Sequence, residues 1–252
     1  MQPTSNILAM LALSLMLSSP VQADVIGFRI GADYWAPDIS GEFNSEGATV
    51  VDVSDELGLD DPSNSSLMIS LEHPIPFLPN FRYQSVDLDS SGRETLTRSV
   101  TFEGQTYAAS ETLRTSLDLT HDDIVLYYEV LDNWVNLDIG LDLKRFDGEA
   151  SLVGSTNTVN SSIDIDETIP LLYLSARFDL PFSGLYLGVD LSSLSSGDNG
   201  VEDTTIKLGY ETESGFGLEG GIRRFALELD DADDLETDLE YDGAYLNGFF
   251  HF

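Results

Sequence analysis

The sequence predicts an all-β fold: a transmembrane antiparallel up-and-down β-barrel of about ten strands (range eight to twelve), preceded by a cleaved signal peptide. Three observations carry this expectation. Apolar residues recur with period two over many segments, as strands require, because successive strand side chains point to opposite faces. Short and long connections between those segments alternate strictly. The last eleven residues, Asp242 to Phe252, keep alternating to the final position and end on an aromatic. Termini of soluble domains usually fray, whereas a strand in lipid must stay paired because no backbone group goes unsatisfied there.

The first element is the leader. The apolar stretch Ile7 to Leu17 is too short to span a bilayer, and Ser18, Ser19 and Pro20 break it. Val21-Gln22-Ala23 then supplies small residues for cleavage, which predicts residues 1–23 as signal peptide and 24–252 as the barrel. No Lys or Arg precedes Arg29, so the positive start is the α-amine alone.

The strands follow in order. Ile26, Phe28, Ile30, Ala32 and Tyr34 oppose Gly27, Arg29, Gly31 and Asp33, and Leu67, Ile69 and Leu71 oppose Met68, Ser70 and Glu72. Phe81 to Leu88 is a strand by propensity with a muddled pattern. Ile124, Leu126, Tyr128 and Val130 form one face of the next. The clearest segment sets Val135, Leu137, Ile139, Leu141 and Leu143 against Asn136, Asp138, Gly140, Asp142 and Lys144. Eight steps of about 3.4 Å, tilted by roughly 40°, rise about 21 Å, close to the ~25 Å apolar band of an outer-membrane barrel. Leu172 to Leu180, Leu185 to Leu191, Ile206 to Tyr210 and Phe216 to Ile222 repeat the alternation. In the terminal strand, Ala244, Leu246, Gly248, Phe250 and Phe252 share a face.

The connections set the orientation. Pro74 to Asn80, Leu131 to Asn133, Pro181 to Ser183 and Glu213 to Gly215 are short. Between them lie longer or more polar connections: Pro37 to Asn64, Asp89 to Arg114, Asp147 to Asp166, Ser195 to Gly200 and Leu229 to Glu236. This sorting matches the periplasmic turns and extracellular loops of bacterial barrels. Trp134, Phe77, Phe81, Phe182, Phe216, Phe250 and Phe252 gather near the short-turn end and Tyr34 and Trp35 near the other, as interfacial girdles do.

The opening Asp24 to Pro37 (DVIGFRIGADYWAP), Glu72 to Pro79 (EHPIPFLP) and Tyr127 to Val135 (YYEVLDNWV) resemble a family of small, mostly uncharacterised outer-membrane β-barrel proteins of Gram-negative bacteria. The resemblance implies a barrel inserted in the outer membrane and brings no catalytic residues with it. The last strand also looks like the signal read by the barrel-assembly machinery. The usual pattern has glycine five residues before the final aromatic; here that position is Asn247, with Gly248 beside it.

Composition narrows the functional classes. Forty-five acidic against 11 basic residues give a formal net charge of −34, which excludes nucleic acid as a partner, since backbone binding needs clustered Lys and Arg. The chain is 42% hydrophobic, too apolar for general disorder. No cysteine is present, so there is no disulfide, thiolate metal site or lipid-attachment cysteine. Of the three histidines, His73 and His251 read as interfacial. His121 and Asp123 share a strand face and make the one candidate acid/base pair, whereas Asp122 points the other way; the competing reading is a solvated or interface-facing histidine. Two acidic clusters, Asp52-Asp55-Glu56-Asp60-Asp61 and Asp230-Asp231-Asp233-Asp234, carry hard oxygen ligands for divalent cations but lack EF-hand spacing.

Arg29, Asp33, Asn136, Asp138, Asp142, Lys144, Arg177, Asp179, Asp190, Lys207, Glu219 and Arg223 are predicted to face the lumen, where both signs would plug a ten-stranded barrel with ion pairs. The function expected is a structural or surface-interaction barrel without catalysis, cofactor or metal. Its partners would be outer-membrane lipids and lipopolysaccharide, the barrel-assembly machinery through the strand ending at Phe252, and divalent cations at the acidic loops. The alternatives are a narrow channel for small solutes or cations, an outer-membrane hydrolase with a rim site near His121, and a soluble periplasmic β-sandwich.

Overall fold

The computed structural model describes residues 26–45, 50–62, 64–155, 160–197, 199–232 and 235–252. The predicted signal peptide, and the side chains of Asp230, Asp231, Asp233 and Asp234, lie outside the described residues. In chain order the strands are β1 Gly27–Ser45, β2 Val51–Asp52, β3 Asn64–Glu72, β4 Asn80–Val86, β5 Asp89–Thr95, β6 Val100–Phe102, β7 Gln105–Tyr107, β8 Thr112–Asp118, β9 His121–Asp132, β10 Val135–Phe146, β11 Gly148–Gly154, β12 Asn160–Ile165, β13 Thr168–Asp179, β14 Leu185–Ser196, β15 Asn199–Glu211, β16 Phe216–Ala232 and β17 Leu235–His251. There is no helix among the described residues.

Ten strands close a barrel in the order β1-β3-β4-β9-β10-β13-β14-β15-β16-β17, with β2 a two-residue appendage on β1. Closure is antiparallel and long, from Arg29 opposite His251 to Ser45 opposite Leu235. Backbone bonds between Phe28 and Phe252 continue the pairing past the last strand residue. Among the described residues the barrel sheet has no open edge, which removes the unpaired N–H and C=O groups that hydrocarbon does not tolerate.

The alternation sorts as the sequence predicts. Phe28, Ile30, Leu67, Ile69, Leu126, Ile139, Leu141, Leu172, Leu187, Ile206, Leu218, Ile222, Leu246 and Phe250 are exposed on the outside of the barrel, although water would oppose such a belt. Their polar strand neighbours point into the lumen. A globular sandwich would bury this belt, so the soluble alternative fails. The four short connections, the start of β1 and the end of β17 meet at one rim, where Phe77, Trp134, Phe182 and Phe252 stand exposed. Phe77 and Phe182 sit at turn tips with φ of 68° and 63°, a conformation that bulky residues rarely adopt.

At the opposite rim the structure departs from the sequence reading. The segments Asp89 to Arg114 and Asp147 to Asp166, expected as loops, are largely strands. The chain breaks briefly after β4, before β9, after β10 and before β13, then pairs again as a four-stranded sheet in the order β12-β11-β8-β5. The small hairpin β6-β7 and the segment from Val51 to Leu59 pack with it. Likewise β1, β16 and β17 run well past the apolar belt. The result is an outer cap with its own core, including Ile39, Phe43, Val53, Leu57, Leu88, Phe102, Tyr107, Leu113, Leu117 and Leu152. Tyr107 anchors it by donating to the Leu152 carbonyl, with Ser161 also within hydrogen-bond distance of its hydroxyl.

Candidate functional site: a polar lumen closed by an apolar cap

Inward side chains of the barrel make three clusters, stacked along its axis. Nearest the short-turn rim, Glu219 holds Arg29 at 2.8 Å and accepts a 2.5 Å hydrogen bond from the Tyr186 hydroxyl. Lys207 bridges Glu219 and Asp190 at 3.5 and 2.7 Å. Arg177 joins Asp179 and Glu211, and His251 reaches Glu211. Small residues make room for the rings of this layer: a Cβ on Gly209 would meet the Tyr186 ring at 2.1 Å, and one on Gly217 the Phe249 ring at 2.0 Å. Arg29 lies over the Phe249 ring and Arg177 over Tyr186.

Midway, Asp33 accepts hydrogen bonds from Ser66, Gln84, Tyr245 and Asn247. Above it, Lys144 is fully buried and donates to Asp123 and Asp203 at 2.6 and 3.1 Å, while Arg223 grips Asp203 with Nε and Nη2 at 2.9 and 2.6 Å. Buried charges persist only when so paired and hydrogen-bonded. The predicted internal ion-pair network is therefore present, and the inward residues named from sequence supply most of it. Asn136, Asp138 and Asp142 are the exceptions; each keeps one side-chain oxygen buried without a hydrogen-bond partner.

His121 and Asp123 do share a face, with Nε2 and Oδ2 4.0 Å apart, and Asp122 points outward to accept from the Tyr83 hydroxyl. The expectation of a rim position is corrected, however. His121 is 2% exposed, stacks on Phe225 and abuts Phe146, and its Nδ1 is 2.8 Å from the Leu119 carbonyl oxygen. It is neither solvated nor lipid-facing, because the strand ends that looked like an open rim continue into the cap. His121, Asp123 and Asp203 bring ligand atoms within 4.8 Å of one another. Lys144 and Arg223 already neutralise both carboxylates there, so the charge of the cluster does not call for a metal. His73 staples its turn instead, through Asn80 and the Pro79 carbonyl.

The first acidic cluster does not converge either. Asp52 accepts from the backbone of Ser54 and Asp55, Glu56 pairs with Arg98 at 2.7 Å, and Asp61 accepts from the Ile39 backbone. These carboxylates shape turns.

A cavity of about 480 Å³ runs through the lumen, from Glu72, His73, Asp132 and His251 at the short-turn rim up to Asp203 and Arg223. Beyond that level, Trp35, Val86, Phe146, Leu171, Val201, Phe225 and Tyr241, from seven different barrel strands, belong to the same apolar cluster as the cap. Sequence reasoning missed this seal because it assigned the outer segments to loops. The usable signal was the alternation Val51/Val53, Leu57/Leu59 and Leu113/Leu117/Leu119 within them.

No protein-family model matches the chain, and no curated protein matches it in sequence. Among solved structures, the outer membrane protease OmpT from Escherichia coli is similar in fold: TM-score 0.51 and 10% identity, covering 94% of this chain and 99% of that one. The transport unit of the autotransporter AIDA-I from Escherichia coli gives a TM-score of 0.42 at 11% identity, over 97% and 95% of the two chains. Ail, the attachment invasion locus protein of Yersinia pestis, gives 0.33 at 11% identity over 88% and 98%. At 10% identity the likeness to OmpT speaks for fold alone. Taken with the closed barrel and its apolar belt, that fold is the one of an integral barrel of the Gram-negative outer membrane.

Proposed function

We propose that residues 24–252 form, after removal of a signal peptide, a non-enzymatic outer-membrane barrel that works through its outer cap as a structural or surface-interaction protein. One observation carries this reading: the apolar seal across the outer end of the lumen. A conduction path would have to cross Trp35, Phe225 and Tyr241, and a substrate would have to cross the cap to reach His121. What remains accessible from outside is the cap surface. Its acidity suits divalent cations that bridge lipopolysaccharide, and the strand ending at Phe252 suits recognition by the barrel-assembly machinery.

Planar-bilayer recording tests the reading. The wild-type protein is expected to give no discrete conductance steps, whereas Trp35→Ala/Phe225→Ala, which opens the seal, is expected to give them. Stepwise conductance in the wild type overturns it. The second reading, a narrow channel, draws support from the cavity of about 480 Å³ lined by carboxylates, and that same recording decides between the two.

A further inference from the structure

The outward face of the four-stranded cap sheet is organised in rungs. Arg93 of β5 stands directly opposite Arg114 of β8, on one face of the sheet. Like charges directly opposite each other are destabilising, and both arginines are exposed without an ion pair among the described residues. The arrangement is unexpected in a chain with a net charge of −34, where most other cations are matched: Arg98 by Glu56, Arg224 by Glu202 and Glu240, and the lumenal lysines by aspartates.

The next rung toward the membrane is a row of hydroxyls. Ser91, Ser116, Ser151 and Ser162 face one another across all four strands. Beyond it lies a row of carboxylates, with Asp89 opposite Asp118, Asp118 opposite Glu149, and Glu149 opposite Asp164. A groove of about 460 Å³ runs over the arginine and serine rungs. Asp60 lies at its edge and pairs with neither arginine; its backbone N–H donates to the Ser91 carbonyl and so fixes that side of the sheet. Gly92 lets this crossing segment approach, since a Cβ there would lie 2.0 Å from the Gly58 carbonyl oxygen.

We infer that this groove binds a phosphorylated saccharide. The two guanidinium groups clamp the phosphate, in the bidentate geometry that arginine favours. The serine row takes the sugar hydroxyls. The carboxylate row repels an anion from the other end, so the ligand has one orientation. The phosphate can belong to the saccharide headgroup of an outer-leaflet lipid or to a soluble sugar phosphate; the chemistry is shared. The assignment deepens the proposed role of the cap, which conductance tests independently.

The experiment uses the full barrel refolded in detergent, with gel heat-modifiability reporting the fold of each variant. Glucose 6-phosphate, glucose and inorganic phosphate are the soluble probes; purified lipopolysaccharide and the same material after phosphatase treatment are the lipid probes. Expected results are binding of at least one phosphorylated saccharide probe, no binding of its unphosphorylated form, and an affinity loss of about tenfold or more in Arg93→Gln/Arg114→Gln. Arg145→Gln, another outward arginine, is expected to leave binding unchanged. Binding of lipopolysaccharide but not glucose 6-phosphate identifies the lipid source; binding of glucose 6-phosphate identifies a soluble one. The inference is overturned if a phosphorylated probe binds no better than its unphosphorylated form, if inorganic phosphate binds as tightly as either saccharide, if the arginine pair can be neutralised or Arg145 removed with equal effect, or if no phosphorylated saccharide binds.

Discussion

Below the outer rim, β16 turns Phe216, Leu218 and Ile222 outward and Glu219 and Arg223 inward. A few residues later, in the cap, Phe225 and Leu227 point inward and Arg224 points outward, paired with Glu240 at 2.6 Å. The same inversion occurs on β1, where Phe28, Ile30 and Tyr34 face out but Trp35, Ile39 and Phe43 face in. On β17 it falls between outward Leu246 and inward Tyr241. Between these residues the pleat does not slip; what changes is which side of it is apolar. Hydrocarbon surrounds one half and water the other, so each half places its apolar residues where water is absent. The inversion marks the membrane boundary in the sequence more sharply than loop length does.

The largest expected effect comes from breaking the polar interior of the membrane half. Lys144→Met leaves Asp123 buried without its cation and should cost about 3–5 kcal/mol in urea unfolding of the refolded barrel. Adding Asp123→Asn should recover part of that loss, because a buried pair removed together costs less than one broken. A double variant as unstable as the single would show that the Lys144 side chain acts by packing alone.

The cap should fail differently. Leu113→Ala removes a fully buried side chain from the cap core, and large-to-small changes of this kind cost about 2–5 kcal/mol. Because the barrel closes through its own ten strands, the loss should be local. Limited proteolysis should cut between residues 87 and 119 while the band still shifts on heating. Loss of heat-modifiability would show instead that cap and barrel unfold as one unit.

A slightly smaller effect tests the belt. Leu141→Arg puts a cation on the lipid face and should cost about 2–4 kcal/mol if it lies near the midplane. Arg114→Leu, its reverse in the cap, should change stability by no more than about 0.5 kcal/mol, as a surface substitution does. Equal costs for the two would remove the distinction between the halves.

This inversion also explains what the sequence disclosed and what it concealed. Leu137, Ile139 and Leu141 against Asn136, Asp138 and Asp142 announce a barrel strand, because one rule holds along the whole segment. Residues 113 to 130 hide two structures: Leu113, Leu117 and Leu119 are apolar at odd positions, whereas Ile124, Leu126, Tyr128 and Val130 are apolar at even ones. Read with a single parity, the first group looks like a polar loop with scattered leucines. The lumenal ion pairs were legible because charged residues on the polar face of a barrel strand have nowhere else to point. The seal was not, since it needs seven strands known to be adjacent. Neither was the Arg93–Arg114 rung, which depends on a register that no local pattern fixes.

The smallest expected effect is on pH, and it belongs to the cap. Hydrogen bonds from Arg98 hold the Glu56 carboxyl below its ordinary value of 4.5, against its partial desolvation. A group so depressed adds stability above about pH 4.5 and loses it as pH falls through the lower folded value. Burial, and then the charges of Asp118 and Asp87, push Asp89 above its ordinary 3.8. That group opposes folding at neutral pH, and the opposition is relieved as pH falls through its raised value toward 3.8. Acidification should therefore first tighten the cap and then loosen it. Asp89→Asn should abolish the first phase by stabilising the cap at neutral pH, and Glu56→Gln should abolish the second by removing a pairing that acid would otherwise break. Hydrogen exchange of residues 89–118, corrected for the intrinsic pH dependence of exchange, reads both phases. A cap whose protection follows the same pH course in the wild type and both variants would mean that neither carboxyl is coupled to its folding.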